Sequence, residues 1–230
     1  MVKSGVVNQG MNSLRPEQLQ HSEPSVQIIR RAQMSISNWA GGSTLQLAIY
    51  PAQSSVAAQD FLWRFSSATV EQSGDFTKFA AHQRLLALRQ GAGFTLQVDN
   101  HQAQVDNPYH CLRFAGKSHS SAQLSKGAVT DINLMLAAGY QGNMQALPLS
   151  SDWQPFMMPR PEYSTLLLWS DELTLEVRQE GAAQSDAQSW LLQPGDLLLM
   201  EHWPLAHTPE FRALTGETGS SLVLAWLKAC

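Results

Sequence analysis

The sequence predicts an all-β protein made of two small β-barrels side by side. Three observations indicate this fold class: a length of 230 residues, apolar residues that alternate in short runs, and a weak internal repeat. A chain of this length accommodates one large β domain or two domains of roughly 100–120 residues. The repeat favours two.

Short apolar runs with the period of a β-strand follow one another from residue 25 onward, separated by turn-forming sequences such as Gln193-Pro194-Gly195-Asp196. Two segments, Ser54–Asp60 and Asp152–Met158, are compatible with short helices. Many strands with so little helix indicate a sandwich or barrel. The predicted strands are Val26–Met34, Thr44–Tyr50, Phe61–Val70, Leu85–Gln90, Phe94–Val98, Cys111–Phe114, Ile132–Leu136, Thr165–Trp169, Leu173–Val177, Asp196–Glu201 and Leu222–Leu227.

The internal repeat relates two strands and two glycines through one offset. Phe94–Val98 (FTLQV) resembles Leu173–Val177 (LTLEV) 79 residues later, and Gly195 follows Gly116 at the same offset. Chance recurrence of β meanders is the alternative explanation. Duplication predicts a polar N-terminal tail over residues 1–24, a first barrel over 25–140 and a second barrel over 141–230, joined near residues 141–163.

The charge balance limits the classes of partner. The chain has 15 Lys and Arg against 19 Asp and Glu, a net charge of −4, whereas nucleic-acid-binding proteins usually show a basic excess. We therefore expect no nucleic acid as a partner. No run approaches the ~18 apolar residues of a membrane-spanning helix, so we also expect no membrane partner. Cys111 and Cys230 do not indicate a disulfide framework, which favours the cytoplasm.

Strand alternation separates an apolar face from a polar face in two segments. In the segment FLWRFSSA, Arg64 and Ser66 lie opposite the aromatic residues, and in the segment DINLML, Asp131 and Asn133 lie opposite the Ile and Leu residues. These polar faces either look at solvent, as in any one-sided antiparallel sheet, or line a barrel lumen as a polar ligand site.

A loop between these segments contributes two further candidates. Phe79 lies in a Gly-containing loop, where it either covers a pocket or plugs the core. Arg84 opens the next strand, where a guanidinium could bind a carboxylate bidentately or form an ordinary salt bridge.

Motifs for nucleophilic, nucleotide or metal chemistry are missing from the sequence. There is no G-x-S-x-G motif and no dinucleotide fingerprint. The histidines are scattered without an H-x-H pair, and Pro204 interrupts the segment between His202 and His207. A metal site needs three or four converging ligands. We therefore expect neither a metal nor another cofactor.

Four ordered blocks of sequence form a recognisable pattern. The blocks are Trp39–Thr44 (WAGGST) with Tyr50-Pro51, Phe61–Ala68 (FLWRFSSA), Gly74–Phe79 (GDFTKF) followed by Arg84, and Asp131–Met135 (DINLM). This pattern resembles that of the histidine-utilisation protein HutD, also called the Ves family, over roughly residues 26–140. In the C-terminal half the resemblance lies mainly in the turn at residues 193–196.

The resemblance implies a bicupin, in which two tandem cupin (jelly-roll) barrels share one chain. Members of the family are linked to the control of histidine degradation, with N-formylglutamate as a proposed ligand, or are described as stress- or cold-responsive. The sequence departs from the family pattern at Ala80, Ala81 and Gln83, which leaves the choice of ligand open. The ligand-binding residues that the resemblance implies are Arg64, Ser66, Phe79, Arg84, Asp131 and Asn133.

Three functions are compatible with these residues. The first is a metal-free regulatory or stress-related protein that binds a small carboxylate metabolite such as an N-formylglutamate-like compound. The second is a cupin-fold enzyme acting on a small carboxylate, with Asp131 or His82 as base. The third is a protein-interaction scaffold that uses Trp153, Trp190 or Trp203. The absence of the H-x-H…E motif of cupin enzymes favours the first, with no catalytic residue assigned. Homodimerisation is left open.

Overall fold

The computed structural model of the chain describes residues 24–156, 165–179, 188–203, 208–215 and 221–230. Almost all of the predicted N-terminal tail and the end of the second predicted helix lie outside these residues. In the described part, one 3-10 turn at Arg31–Gln33 is the only helical element. No helix among these residues is long and apolar enough to cross a membrane.

Nineteen strands make up the described regular structure. They are β1 Ser25–Ile29, β2 Ser35–Trp39, β3 Gly42–Tyr50, β4 Trp63–Val70, β5 Gly74–Asp75, β6 His82–Gln90, β7 Phe94–Val98, β8 His101–Val105, β9 Leu112–Ala115, β10 Ser120–Leu124, β11 Val129–Ala137, β12 Tyr140–Pro148, β13 Gln154–Pro155, β14 Thr165–Trp169, β15 Leu175–Gln179, β16 Ser189–Leu192, β17 Leu197–Glu201, β18 Pro209–Ala213 and β19 Ser221–Ala229.

The strands form four antiparallel sheets, which we number I to IV. Sheet I has the order β2-β3-β4-β11-β6-β9, and sheet II has the order β5-β10-β7-β8. Sheet III has the order β1-β17-β14-β19-β12, and sheet IV has the order β13-β18-β15-β16. Each strand from β4 to β11 therefore has a counterpart eight strands later, in the same neighbour order.

This recurrence of strand order tests both parts of the predicted repeat, the matching strands and the matching glycines. The strand Phe94–Val98 is β7, and its counterpart β15 overlaps the predicted Leu173–Val177. The glycine part of the repeat is wrong, because Gly116 lies between β9 and β10 whereas Gly195 lies between β16 and β17. The two glycines belong to loops that are not counterparts.

Sheets I and III pack face to face. Their contact is an apolar cluster that includes Trp63, Phe65 and Leu134 from sheet I and Leu167 and Ala225 from sheet III. A second apolar cluster joins sheets I and II, and a third joins sheets III and IV. Central strands of sheets I and III, such as β4 and β14, are thus covered on both faces, which explains their nearly continuous burial.

The all-β prediction is confirmed, and each predicted strand overlaps an observed one. The alternative of a short helix at Ser54–Asp60 is wrong, because these residues form turns. The alternative of a short helix at Asp152–Met158 is wrong in its described part, where β13 lies. The segment at residues 141–163, predicted as a connection, begins as strand β12, which is paired along its length with β19.

The strand β1 pairs with β17 of sheet III although it precedes sheet I in the chain. Next to it, Arg30 donates from Nη1 to Asp196 Oδ2 at 2.7 Å, and the Arg31 backbone N–H donates to Asp196 Oδ1 at 2.9 Å. The Asp196 carboxylate, in the turn at residues 193–196, therefore anchors the segment that follows β1 to sheet III. These hydrogen bonds and the neighbouring N–H groups keep the pKa of Asp196 below its ordinary value, although burial acts in the opposite direction.

A buried arginine connects the two halves of the molecule. The register of β6 against β11 shifts between Thr130 and Asp131, and Arg89 leaves the sheet toward the C-terminal half. Its guanidinium forms an ion pair with Asp171, donates to Ser221 Oγ at 2.8 Å, and lies over the Trp169 ring. The Arg89 side chain is only 4% exposed. Because water cannot screen its positive charge, the Asp171 carboxylate has to neutralise it.

We expect Asp171→Asn to lower the free energy of unfolding by about 2–3 kcal/mol, because it leaves a buried guanidinium without a carboxylate. Urea denaturation followed by tryptophan fluorescence measures this loss. The matched control is Glu172→Gln, since Glu172 accepts from the exposed Gln90 amide and should change stability by less than about 0.5 kcal/mol. Equal losses in the two variants would contradict the role assigned to Arg89.

Candidate functional site

A cavity of about 260 Å³ opens between sheets I and II. The polar faces predicted from strand alternation line it, with Arg64 and Ser66 on β4 and Asp131 and Asn133 on β11. Their residues are between 0% and 5% exposed. The alternative, that these faces look at solvent, is wrong because these residues are buried.

Two arginines enter the cavity at one level of sheet I. Arg64 on β4 and Arg84 on β6 both lie opposite Met135 of the intervening strand β11, which places their Cα atoms about 10 Å apart. Burial lowers the pKa of each guanidinium to about 10, so both stay protonated at neutral pH. The cavity therefore holds two buried positive charges.

The two arginines are held by different partners. Arg64 donates from Nε to Gln46 Oε1 on β3 at 3.2 Å. Arg84 lies between two aromatic rings, with its guanidinium carbon 5.1 Å from the ring centres of both Phe76 and Phe114. These rings cover the faces of the Arg84 guanidinium and leave its edge for hydrogen bonds.

A chain of hydrogen bonds runs inward from Arg84. Its Nη2 donates to Asn133 Oδ1 at 3.0 Å, and Asn133 Nδ2 donates to Asp131 Oδ1 at 2.5 Å. Arg84 Nε and Asp131 Oδ2 are buried and have no hydrogen-bond partner within the described part of the chain. Two of the residues that line the cavity thus each contain one buried polar atom, a guanidinium N–H and a carboxyl oxygen, without a hydrogen-bond partner among the described residues.

Burial controls the charge of Asp131. The carboxyl is fully buried, and this burial raises its pKa to about 7. The positive charge of Arg84, the Asn133 amide and the Ala68 N–H act in the opposite direction but do not cancel the effect. Near neutral pH the cavity therefore contains two positive charges and a carboxyl that exchanges its proton.

The structure brings all six predicted binding residues to this one cavity: Arg64, Ser66, Phe79, Arg84, Asp131 and Asn133. That they bind a ligand stays a prediction. Sequence reasoning missed Phe114 and Gln46, which hold the arginines. Phe114 reaches Arg84 through the pairing of β6 with β9, and Gln46 lies opposite Ser66 on β3. Both contacts depend on strand register, for which the sequence carries no direct signal.

The mouth of the cavity is formed by the β2–β3 hairpin. Trp39 lines it, and its indole N–H donates to Thr44 Oγ1 at 3.2 Å. The indole packs over Gly41, where an added Cβ would lie 2.5 Å from the ring. The glycines of the WAGGST block therefore give the Trp39 ring its place at the rim.

The candidate base His82 lies beside the cavity and does not line it. Its ring stacks on Phe61 with centroids 4.1 Å apart, and its Nε2 lies 2.8 Å from the Phe61 carbonyl oxygen. This arrangement is typical of a packed core histidine. The second candidate base, Asp131, does face the cavity.

The donor set of the cavity does not fit a cupin metal centre. Two guanidinium groups line the cavity, and guanidinium groups do not ligate metals. No histidine from the described part of the chain lines it. Nowhere in the described residues do three or more His, Cys, Asp or Glu side chains cluster as metal ligands would. We therefore derive no chemistry through a metal at this site.

The HutD family model matches residues 31–214, which span both halves of the chain and all six cavity residues. The chain belongs to the HutD family. A curated relative, an uncharacterised 21.2 kDa protein encoded in the hutC 3′ region of Pseudomonas putida, is 40% identical over 77 residues. That alignment covers 34% of this chain and 40% of the relative's length.

Two solved structures from Pseudomonas species have the same fold. A conserved protein of unknown function from Pseudomonas aeruginosa PAO1 superposes with a TM-score of 0.72 at 25% identity, covering 89% of this chain and 100% of that chain. HutD from Pseudomonas fluorescens SBW25, solved in a formate condition, superposes with a TM-score of 0.67 at 24% identity, covering 90% and 100%.

More distant structures show a cupin-like fold without close sequence similarity. The oxalate decarboxylase of Lactobacillus farciminis, solved as a formate complex, superposes with a TM-score of 0.60 at 7% identity. The match covers 91% of this chain and 88% of that enzyme chain. This likeness concerns the fold alone.

The raised pKa of Asp131 makes the stability of the protein depend on pH. Between its unfolded value of ~3.9 and about 7, Asp131 binds its proton in the folded state but not in the unfolded state. Its contribution to stability is therefore complete below about pH 4 and is lost as pH rises through 7. Relative to Asp131→Asn, we expect the wild type to lose about 2–4 kcal/mol between pH 4.5 and pH 8.

Urea denaturation at several pH values measures this difference, with Asp106→Asn as control because Asp106 is exposed in the loop after β8. The control should follow the wild type at every pH. Parallel pH profiles for wild type and Asp131→Asn would show that Asp131 is ionised in the folded protein.

Proposed function

We propose that the protein is a metal-free binding protein whose cavity takes a small carboxylate metabolite. The observation that carries this proposal is the pair of buried arginines at one level of the cavity. Neither Arg64 nor Arg84 forms an ion pair with a carboxylate among the described residues. Two buried guanidinium groups with unused donors favour an anion that supplies the missing acceptors.

The size and lining of the cavity support a small ligand. About 260 Å³ is just below the roughly 300–1,000 Å³ of pockets that hold drug-sized molecules. In the proposed complex the arginines bind the carboxylate, Ser66 and Asn133 bind an amide or formyl group, and Phe79 covers the ligand. Because this is a HutD family member, an N-formylglutamate-like compound is the first candidate.

We further propose that the chain is a bicupin whose first barrel carries the ligand site. The repeated strand order of sheets I–II and III–IV supports two barrels, and the predicted boundary at residue 140 falls within one residue of the turn between β11 and β12. Strand β1 then belongs to the second barrel. The interior of that second unit is filled by apolar residues such as Leu168, Phe211 and Trp226, which favours a supporting role.

The enzyme and scaffold alternatives receive less support from the described residues. No imidazole lines the cavity, which leaves Asp131 as the only predicted base in contact with it. Of the tryptophans considered for a docking surface, Trp203 is buried, and Trp153 lies between the guanidinium groups of Arg178 and Arg212 at 4.0 and 4.6 Å. Both are engaged in packing.

We expect Arg64→Gln to weaken carboxylate binding by roughly 30- to 1,000-fold, because it removes one buried charge-assisted contact worth about 2–4 kcal/mol. Isothermal titration calorimetry with N-formylglutamate, glutamate, urocanate, acetate and formate measures the affinity of each acid. Lys126→Gln is the matched control, since it removes a positive charge from an exposed turn outside the cavity. The proposal fails if no acid binds the wild type, or if Arg64→Gln binds as tightly as the wild type.

A further inference from the structure

The two oxygens of the buried Asp131 carboxyl differ in their hydrogen bonding. Its Oδ1 accepts the Asn133 amide N–H at 2.5 Å, whereas its Oδ2 has no hydrogen-bond partner within the described residues. The residue is fully buried and lines the cavity. At the proposed anion site, an ionised Oδ2 would repel the bound anion and weaken its binding. A protonated Oδ2 would instead donate a hydrogen bond to the anion and strengthen its binding.

We propose that Asp131 binds the ligand as a neutral carboxylic acid, donating a hydrogen bond from Oδ2 to the bound anion, so that each anion enters the cavity together with one proton. This inference deepens the proposed function and rests on it. The proton comes from solvent and ends on Oδ2; no covalent bond other than this O–H forms.

The charged groups around Asp131 decide how strongly binding and protonation are coupled. In the free protein, burial opposes the ionised form of Asp131, whereas the charge of Arg84 on β6 favours it. Arg64 on β4 is the other positive charge that lines the cavity. Asp75 on β5 is the other carboxylate that lines the cavity, but its side chain is 70% exposed at the rim and lies 3.2 Å from His119 Nε2. The described parts of β2 and β3 that line the cavity carry no titratable group.

Binding of an anion changes this balance in one direction. The ligand's negative charge neutralises the arginines and adds repulsion to an ionised Asp131, so the protonated form gains. The same ligand offers the acceptor that an Oδ2–H needs. The site therefore selects molecules that present acceptors to both Arg84 and Asp131, and it disfavours ligands that place an N–H or O–H against Oδ2.

The coupling predicts a specific pH dependence of affinity. If only the protonated form binds, affinity for a ligand of fixed charge falls up to tenfold per pH unit above the pKa of Asp131 in the free protein, which is about 7. We expect roughly 20- to 30-fold weaker binding at pH 8.5 than at pH 6.5. Asp131→Asn, whose amide donates at every pH, should bind with nearly constant affinity, close to that of the wild type at low pH.

The test titrates N-formylglutamate into wild-type protein at pH 7.5 in buffers of different ionisation enthalpy, which gives the number of protons taken up on binding. At pH 7.5 about three quarters of the free protein is ionised at Asp131, whose pKa is about 7. We therefore expect an uptake of about 0.75 proton per bound ligand for the wild type and for Asp106→Asn, and none for Asp131→Asn. Infrared spectroscopy of protein labelled with ¹³C-aspartate should show a protonated carboxyl that appears on binding in the wild type and is missing from Asp131→Asn.

The outcomes separate this inference from the proposed function. Binding without proton uptake, or tighter binding at high pH, overturns the inference and leaves the carboxylate site standing. Proton uptake that survives in Asp131→Asn but is lost in Asp75→Asn assigns the proton to the rim pair of Asp75 and His119, and also overturns it. Absence of binding by any of the five acids at any pH removes the proposed function and the inference together.

Discussion

The packing of sheet I against sheet III is the constraint on which the rest of the structure depends. It covers one face of β4, β6 and β11 with the apolar cluster of Trp63, Phe65, Leu85 and Leu134. Because successive side chains of a strand point to opposite faces, that cluster fixes which residues face sheet II. The arginines and Asp131 lie in the cavity because their sequence neighbours are required in the core.

The same constraint explains how far the sequence could predict the molecule. Strongly alternating or apolar strands such as Phe94–Val98 and Thr165–Trp169 were predicted at their observed bounds. Strands rich in Gln and Ser, such as β8 (HQAQV) and β10 (SSAQL), were not predicted, because each has too few large apolar residues to mark an apolar face in the sequence, although both pair with β7. Strand alternation predicted the cavity residues of β4 and β11, and the loop and the family blocks predicted Phe79 and Arg84. The residues that contact the two arginines, Gln46 and Phe114, depend on strand register.

The two halves illustrate how one strand order serves different purposes. In the C-terminal half, the space between sheets III and IV is filled by side chains such as Leu166, Leu168, Val177 and Phe211. In the N-terminal half, apolar residues such as Val70, Leu88 and Val129 fill one end. The opposite end holds the arginines. Burial of these charges is costly, and the apolar second half, together with the contact between sheets I and III, contributes stability that offsets this cost.

The position of β1 has a consequence for the order of events during synthesis. This strand leaves the ribosome first, but its partner β17 follows roughly 170 residues later, which corresponds to about 10–35 s at typical translation rates of ~5–20 residues per second. For that interval the N-terminal half can assemble sheets I and II while Ser25–Ile29 stays unpaired beside them. β1 can therefore pair with β17 only after most of the chain has been synthesised, and a ribosome that stalls before residue 197 leaves an exposed strand that is ready to pair with another molecule.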